Sequence, residues 1–217
     1  ENARKNLNLH SKLCYNICKM LPVSGYSSQR TGSSHLPAWR KGGLLVQFAD
    51  LPPKMQNPYT KKWMEQLKAR RFHLAAKRVF DVVAATGIAA VTSPVMLVLA
   101  IAIKADSPGP VFFRQIRVGQ WGKTFRIFKF RTMVQDADRR GLAITVGQDA
   151  RITRVGRLLR KCRLDEFPQV FNVISGTMSL VGPRPEVPKY VDCYKDEYMA
   201  TLLIRPGVTA PSSLHFR

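Results

Sequence analysis

Asp165 and Glu166 stand side by side, directly after a cationic run made of Arg151, Arg154, Arg157, Arg160, Lys161 and Arg163. Two readings of the pair are open. In the first, Asp165 caps the start of a helix and Glu166 favours its first-turn dipole, with Pro168 tolerated where no amide partner is needed. In the second, a helix N-terminus and several guanidinium groups form a phosphate site. Carboxylates in such a site hold a divalent cation or attack phosphorus. The Arg run divides the same way, between a solvated or headgroup-facing helix surface and a substrate site. Downstream, "MSLVGPRPE" sets Arg184 between Pro183 and Pro185. The prolines stiffen that loop, so its guanidinium is pre-oriented for an anion or for a structural salt bridge. A Walker loop, a G-x-G-x-x-G turn, zinc-type Cys and His pairs and a G-x-S-x-G elbow are all missing from the sequence.

The elements that must position these residues are those of a soluble domain. Ile152, Val155, Leu159 and Cys162 lie at helical spacing, with Arg154, Arg157 and Lys161 on another face. Phe167, Val170, Phe171 and Ile174 repeat at i, i+3, i+4, i+7 and predict a second helix that stops at Gly176. Val111–Val118 and Thr124–Arg131 are aromatic and β-branched runs flanking Gly119–Gly122, the pattern of a hairpin. The remainder, rich in Gly and Pro, reads as loops with a short helix near Val187–Met199. Upstream, a helix is expected from Tyr59 or Thr60 to about Ala76.

Between these halves, Val82 to Ile103 carries no charge over 22 residues. A straight helix of that length covers ~33 Å, enough for a hydrocarbon core of ~30 Å. Pro94 interrupts it by freeing the carbonyl of Ala90, which leaves arms of ~21 and ~15 Å, neither long enough alone. Thr92 and Ser93 can donate one turn back and make a bend tolerable in lipid. Lys77 and Arg78 precede the segment and Lys104 follows it. A spanning helix concentrates its positive flank on one side, so two basic flanks favour a hairpin that dips in and returns. A Pro-kinked span is the alternative.

The whole chain has 217 residues, 35 Lys plus Arg against 14 Asp plus Glu, and a formal charge of +21. At 45% hydrophobic it is too apolar for a disordered basic tail. The charge calls for an anionic partner: nucleic acid, a phosphorylated substrate or acidic headgroups. Four scattered cysteines exclude a secreted disulfide scaffold and fit a reducing compartment. Residues 1 to 72 hold 13 basic and 3 acidic residues with no lasting periodicity. They read as a mostly irregular basic extension, either a transit-like leader or an upstream extension before a start at Met55 or Met64. His10, Cys14 and Cys18 would share a helical face, as a small apolar stripe or as three ligands of a four-ligand metal site. The chain is read as incomplete at both ends.

With these residues in view, "KRVFDVVAA", "SPVMLVLAIAIKADSPGPVFFRQIRVGQWGKTFRIFKFRTM", "RVGRLLRKCRLDEFPQVFNVISGTMSLVGPRPE" and "RPGVT" closely resemble the bacterial sugar transferase family, the monotopic phosphoglycosyl transferases. The likeness runs from about Ala76 to Thr209. It implies an α+β fold, helix-rich with a small β-hairpin, anchored by a Pro-broken re-entrant helix with its break at Ser93-Pro94. It implies a division into an extension (1–63), an amphipathic lead-in with the membrane helix (64–106) and a cytoplasmic catalytic domain (107–217). The implied reaction transfers a sugar-1-phosphate from a UDP-sugar to a polyprenol phosphate at the inner face of the bacterial cytoplasmic membrane. UMP is released, and a phosphosugar–Asp intermediate forms on the way.

Carried over by motif, Asp165 is the nucleophile and Glu166 its partner, both near a Mg²⁺ or Mn²⁺ ion. Arg184 would bind phosphate, and Lys129, Arg131, Arg114, Arg117 and Arg163 are candidates to line the same site, with Gln115. A metal and guanidinium groups would neutralise the diphosphate as the carboxylate approaches, and a helix N-terminus would keep Asp165 ionised. The implied partners are the UDP-sugar donor, the polyprenol phosphate acceptor and membrane lipids, without nucleic acid. The oligomeric state is open, a homodimer included. The resemblance expects the compact form without upstream spanning helices, and a C-terminal piece beyond "RPGVT". The competing reading is a non-catalytic, membrane-anchored basic protein binding anionic lipid or nucleic acid. The aromatics do not interleave with the basic runs as a single-strand platform needs, and no helix-turn-helix or zinc module is legible.

Overall fold

The computed structural model describes residues 46–135, 137 and 149–210. His10, Cys14, Cys18 and the rest of residues 1–45 lie outside the described residues. The architecture is α+β, dominated by helices. Asn57 opens α1 (Pro58–Ala69), its Oδ1 accepting from the Thr60 N–H at 2.9 Å, with Pro58 at the first helical position. The helix expected to run on to Ala76 stops at Arg70, where φ is −101° and ψ 21°, and α2 (Arg71–Asp106) begins there. The sequence carries no Gly or Pro at this joint, so composition could not mark it.

α2 is 36 residues long, about 54 Å as a straight helix. Among the described residues it is the one helix long and apolar enough to cross a membrane, and only 11% of its most apolar window is buried. The expected separation into two arms is not seen as a gap, because the helix continues through Pro94. The chemistry at the proline follows its missing N–H. Ser93 Oγ donates to the Ala90 carbonyl at 2.8 Å, and Thr92 Oγ1 donates to Ile88 at 2.7 Å. The carbonyl that Pro94 orphans therefore has a partner without water.

Buried positions along α2 are few, and residues 71–80 hold none. Asp81 and Ala85 are buried in the first half, Met96 and Ile103 in the second, and residues 86–95 between them contain no buried position. Ala85 packs with Ile127, Val173 and Met178. Met96 and Ile103 pack with Phe130 and Leu159. At the outset of the helix Asp81 accepts from Ser179 Oγ at 2.7 Å, from the Leu180 N–H at 3.3 Å and from Lys77 at 2.9 Å. At its end the Asp106 carboxylate accepts from the Val155 N–H at 3.0 Å. The helix is thus tied to the body at residue 81 and again at residue 106, while residues 86–95 between stand clear.

The expected hairpin is present. β1 (Phe112–Val118) and β2 (Thr124–Phe130) pair antiparallel, with Phe113 opposite Lys129 and Arg117 opposite Phe125. Alternation puts Phe113, Gln115, Arg117, Ile127 and Lys129 on one face. Phe112, Arg114, Ile116 and Phe128 are on the other, where Phe112 stacks on Phe130. α3 (Arg154–Lys161) is capped by Thr153, whose Oγ1 accepts from the Gly156 N–H at 3.0 Å. Gly156 is required because an added Cβ would meet the Thr132 carbonyl oxygen at 2.1 Å.

α4 (Gln169–Ile174) follows, ending before Gly176 at φ 89°, the stop expected there. Its buried face is rotated from the one that periodicity picks out. Gln169, Val170, Asn172 and Val173 are buried, whereas Phe171 and Ile174 are exposed. Asn172 explains the rotation: its Oδ1 accepts from the Phe128 N–H at 2.8 Å and its Nδ2 donates to the Arg126 carbonyl at 2.9 Å. A buried amide that completes the open edge of β2 outweighs two exposed apolar side chains.

The stretch read as loops with one short helix holds more order. β3 (Ser179–Val181) pairs in parallel with β4 (Gly207–Thr209). α5 (Pro188–Val191) and α6 (Asp196–Met199) replace the single helix. Strands of three residues carry too little alternation to be seen in sequence. Residues upstream of α1 join this part of the core: Val46, Leu51 and Met55 pack with Met64, Val118, Val191, Met199 and Leu203.

Candidate active site

The Asp165–Glu166 pair lies in a 3-10 turn, Leu164–Glu166, between α3 and α4. This corrects the capping expectation: α4 has Pro168 at its N-cap and no side chain bonding there. The chain is turned at Arg163, which adopts φ 58° and ψ 19° in the left-handed region. A glycine is usual at that place, and a β-carbon there costs on the order of 1 kcal/mol. On either side of the dyad, Leu164 and Phe167 insert against Met96, Ile103, Phe130 and Leu159. The turn is therefore seated on the second half of α2 and on β2.

Glu166 is held by two cations. Lys129 Nζ lies 2.7 Å from its Oε1, and Arg184 Nη2 reaches the same oxygen at 3.4 Å. Asp165, half-buried, has no hydrogen bond from the side chain of another described residue; its carboxylate accepts from its own backbone N–H. The two carboxyls are accordingly pushed apart. Burial raises the Asp165 pKa above the ordinary carboxylate value; Lys129 pulls it back in part and the Glu166 charge adds to the rise. Burial also pushes Glu166 upward, but the charge and hydrogen bond of Lys129, with Arg184 and Arg163, bring its pKa below the usual value. The expectation that a helix N-terminus keeps Asp165 ionised is replaced by this balance of burial against Lys129 and Arg160.

The Pro183-Arg184-Pro185 loop is fastened to β1. The Val118 N–H donates to the Glu186 carbonyl at 2.8 Å. Arg117 Nη1 donates to the Pro185 carbonyl at 3.0 Å, and its Nε and Nη2 both reach Gln115 Oε1, at 3.1 and 2.7 Å. Arg117 thus lies beside the site as a strut. Burial lowers its pKa; the Glu186 charge offsets this in part and the Arg184 charge lowers it further.

Of the residues singled out from the sequence, the structure brings Asp165, Glu166, Lys129 and Arg184 together, with Arg163 and Arg117 adjacent. Arg131 is elsewhere: it is 6% exposed, with Nη1 on the Pro108 carbonyl at 2.8 Å and Nη2 on Ser107 at 2.6 and 2.9 Å. It fastens the turn that follows α2. Arg114 is exposed on the opposite hairpin face, 4.8 Å over the Phe128 ring. Ser93 and Pro94 lie in the exposed middle of α2. Arg160, named only as part of the cationic run, acts on Asp165 electrostatically and donates to Thr132 Oγ1 at 2.8 Å.

The donor set suits a cation brought in with substrate. Among the described residues no group of three or more His, Cys, Asp or Glu gathers, which argues against an all-protein cage. Mg²⁺ characteristically uses one or two carboxylates and completes its octahedron with substrate phosphates and water. Asp165 and the second oxygen of Glu166 are carboxylate donors of that kind, and Lys129, Arg184 and Arg163 place positive charge beside them.

The sequence profile of the family described as "Bacterial sugar transferase" matches residues 72–217. Among individual relatives, an Aeromonas hydrophila protein named "UDP-N-acetylgalactosamine-undecaprenyl-phosphate N-acetylgalactosaminephosphotransferase" is 47% identical over 136 residues, 61% of this chain and 32% of its own length. A Caulobacter vibrioides protein named "UDP-glucose:undecaprenyl-phosphate glucose-1-phosphate transferase" is 48% identical over 136 residues, 61% of this chain and 51% of its own. A Bacillus subtilis protein named "Putative undecaprenyl-phosphate N-acetylgalactosaminyl 1-phosphate transferase" is 42% identical over 125 residues, 58% of this chain and 70% of its own. The chain thus spans about a third to a half of the first two relatives.

Proposed function

The chain belongs to the bacterial sugar transferase family, and on that premise we propose that it transfers a sugar-1-phosphate from a UDP-sugar to a polyprenol phosphate such as undecaprenyl phosphate. The observation that carries this reading is the asymmetric dyad: Lys129 and Arg184 neutralise Glu166, while Asp165 beside it is left open to substrate. The relatives' names pair a UDP-sugar with undecaprenyl phosphate and include both glucose and N-acetylgalactosamine donors, so the sugar is not assigned.

In the proposed first step an Asp165 carboxylate oxygen attacks the phosphorus that bears the sugar. The bond from that phosphorus to the bridging oxygen breaks and UMP departs with the electron pair. In the second step a phosphate oxygen of the lipid attacks the same phosphorus. The Asp165 oxygen leaves as carboxylate and the product is a polyprenyl diphosphosugar. Arg184 and Arg163 hold the diphosphate oxygens; Lys129 keeps Glu166 oriented; Arg117 holds the loop that carries Arg184. A Mg²⁺ or Mn²⁺ ion held by Asp165 and Glu166 would supply neutralisation of the diphosphate charge. Such chemistry depends on positioning and electrostatics far more than on proton transfer.

Membrane placement belongs to the same proposal. α2 is read as re-entrant, with residues 86–95 as the inserted tip and both ends returning to one cytoplasmic body at the inner membrane. Burial on either side of residues 86–95 and none within them support this, as does the internal satisfaction of the Ala90 carbonyl by Ser93. Residues 64–106 would form the lead-in and anchor, 107–217 the catalytic domain and 1–63 an extension. Incubating detergent-solubilised protein with a UDP-sugar panel, Mg²⁺ and undecaprenyl phosphate tests the reading. UMP release that depends on the lipid and is lost in Asp165→Asn supports it; release from no donor refutes it.

A further inference from the structure

A second basic site lies apart from the dyad. A cavity of about 110 Å³ opens where α1, the first turns of α2, the Gln120–Gly122 turn and the chain around Arg205 meet. Asp165, Glu166, Lys129 and Arg184 do not line it. Leu67, Leu74 and Trp121 form an apolar side, and Lys77, Arg78 and Arg205 bring three cations against one carboxylate, Asp81. That carboxylate is already engaged by Lys77, Ser179 and the Leu180 N–H.

The guanidinium groups are unequally occupied. Arg78 donates to the Val173 carbonyl at 2.7 Å and to Ile174 at 3.1 Å, closing the end of α4. Arg205 uses only Nε, on the Gly176 carbonyl at 3.0 Å, and its two terminal nitrogens have no partner among the described residues. Burial and then the Arg78 charge lower the Arg205 pKa, and the Asp81 charge offsets this in part. With three cations against one carboxylate, the cavity carries net positive charge and free Arg205 donors next to an apolar wall. At this size it falls below the ~300–1,000 Å³ of sites that enclose a whole small-molecule ligand. It suits a single tetrahedral anion with a substituent that leaves along the wall.

We propose that this cavity binds the phosphodiester of one anionic membrane phospholipid, with the phosphate on Arg205 and Lys77 and the start of the acyl-bearing portion against Leu67, Leu74 and Trp121. A lipid is preferred to a free phosphate for two reasons. The cations sit one turn before the uncharged run that begins at Val82, at the depth where headgroups meet protein. The apolar wall would otherwise face water. The inference uses the membrane placement proposed above and is independent of the transfer reaction.

Full-length protein in neutral detergent, supplied with equal amounts of phosphatidylglycerol and phosphatidylcholine, would be read for retained lipid by native mass spectrometry. One phosphatidylglycerol per chain is expected, retained at least tenfold over phosphatidylcholine, with the preference lost in Arg205→Gln. Leu74→Gln, which leaves the Arg205–Gly176 bond in place, should reduce retention without altering the melting temperature appreciably. Equal retention of the two lipids, or unchanged preference in a folded Arg205→Gln protein, overturns the site. Displacement of the lipid by low-millimolar inorganic phosphate assigns the pocket to a free anion and overturns the lipid. Flotation with vesicles separates the premises: protein that does not float at all contradicts the membrane placement, whereas protein that floats without selective retention contradicts this pocket alone.

Discussion

Lys129 Nζ lies 2.7 Å from Glu166 Oε1, while Asp165, one residue away, has no equivalent cation in hydrogen-bond contact among the described residues. This divides two adjacent carboxylates between roles. Glu166 is oriented and neutralised by β2 and by the Arg184 loop. Asp165 is desolvated and electrostatically less comfortable, which is the condition of a reactive group rather than of a structural ion pair.

Opposite shifts give opposite stability effects. The Asp165 pKa is raised in the folded state, so its ionised form opposes folding above that pKa, and Asp165→Asn should raise the melting temperature at neutral pH while abolishing transfer. The Glu166 pKa is lowered, so its contribution is present above the unfolded value and is lost as pH falls through the folded one. Glu166→Gln should therefore lower the melting temperature at neutral pH, with the difference shrinking toward acid. Thermal melts of both variants across pH 4 to 8 check the pair of signs.

Lys129→Met removes the charge that pulls both carboxyl pKa values down. The acid limb of the rate profile should then move to higher pH, because Asp165 must be ionised to attack phosphorus. A pH series of lipid-dependent UMP release reads it. An unmoved limb in a folded Lys129→Met protein would show that Asp165 does not set it.

Arg184 and Arg117 should separate in kinetics. Removing one preorganised donor from a transition state costs ~10²–10³ in kcat, the size expected for Arg184→Ala. Arg117 touches Pro185 and Gln115, so Arg117→Gln should give a smaller loss, about tenfold, from a displaced loop. Arg117→Lys, retaining charge but losing the bidentate hold on Gln115, should resemble Arg117→Gln.

Gly156→Ala places a β-carbon 2.1 Å from the Thr132 carbonyl oxygen. Backbone must move for it to fit, so a loss of ~1–3 kcal/mol or more is expected, measured by chemical denaturation. Because α3 leads into the dyad turn, activity per folded molecule should fall as well.

The topology proposal makes its own prediction. Single cysteines placed at Glu65 and at Gln135, in a background lacking the native thiols, should both be labelled from the cytoplasmic side only. Replacing Pro94 by Leu restores the missing N–H and favours a straight span, so part of the population should move one label to the opposite side.

The hairpin, the dyad and the apolar segment were legible in sequence, because each has a strong local signature: eight-residue β runs around Gly119–Gly122, charged motifs, and 22 uncharged residues. What escaped was decided by tertiary partners. Asn172 reads as an ordinary polar position, yet it satisfies the β2 edge and rotates α4. Arg131 reads like Lys129, two residues away on the same strand end, but its guanidinium is spent on Ser107 and Pro108. Periodicity cannot tell which of two neighbouring cations will find a carboxylate. The left-handed turn at Arg163 was equally hidden, since no glycine announces it.

The central claim is that Asp165 becomes covalently attached to the sugar phosphate. Purified protein with Mg²⁺ and a panel of UDP-sugars, without lipid acceptor, would be examined by intact-protein mass spectrometry. The account predicts a mass increase equal to one sugar phosphate with a matching donor, absent in Asp165→Asn and discharged by undecaprenyl phosphate. Lipid-dependent UMP release with no adduct at any time, or an adduct that persists in Asp165→Asn, would contradict it.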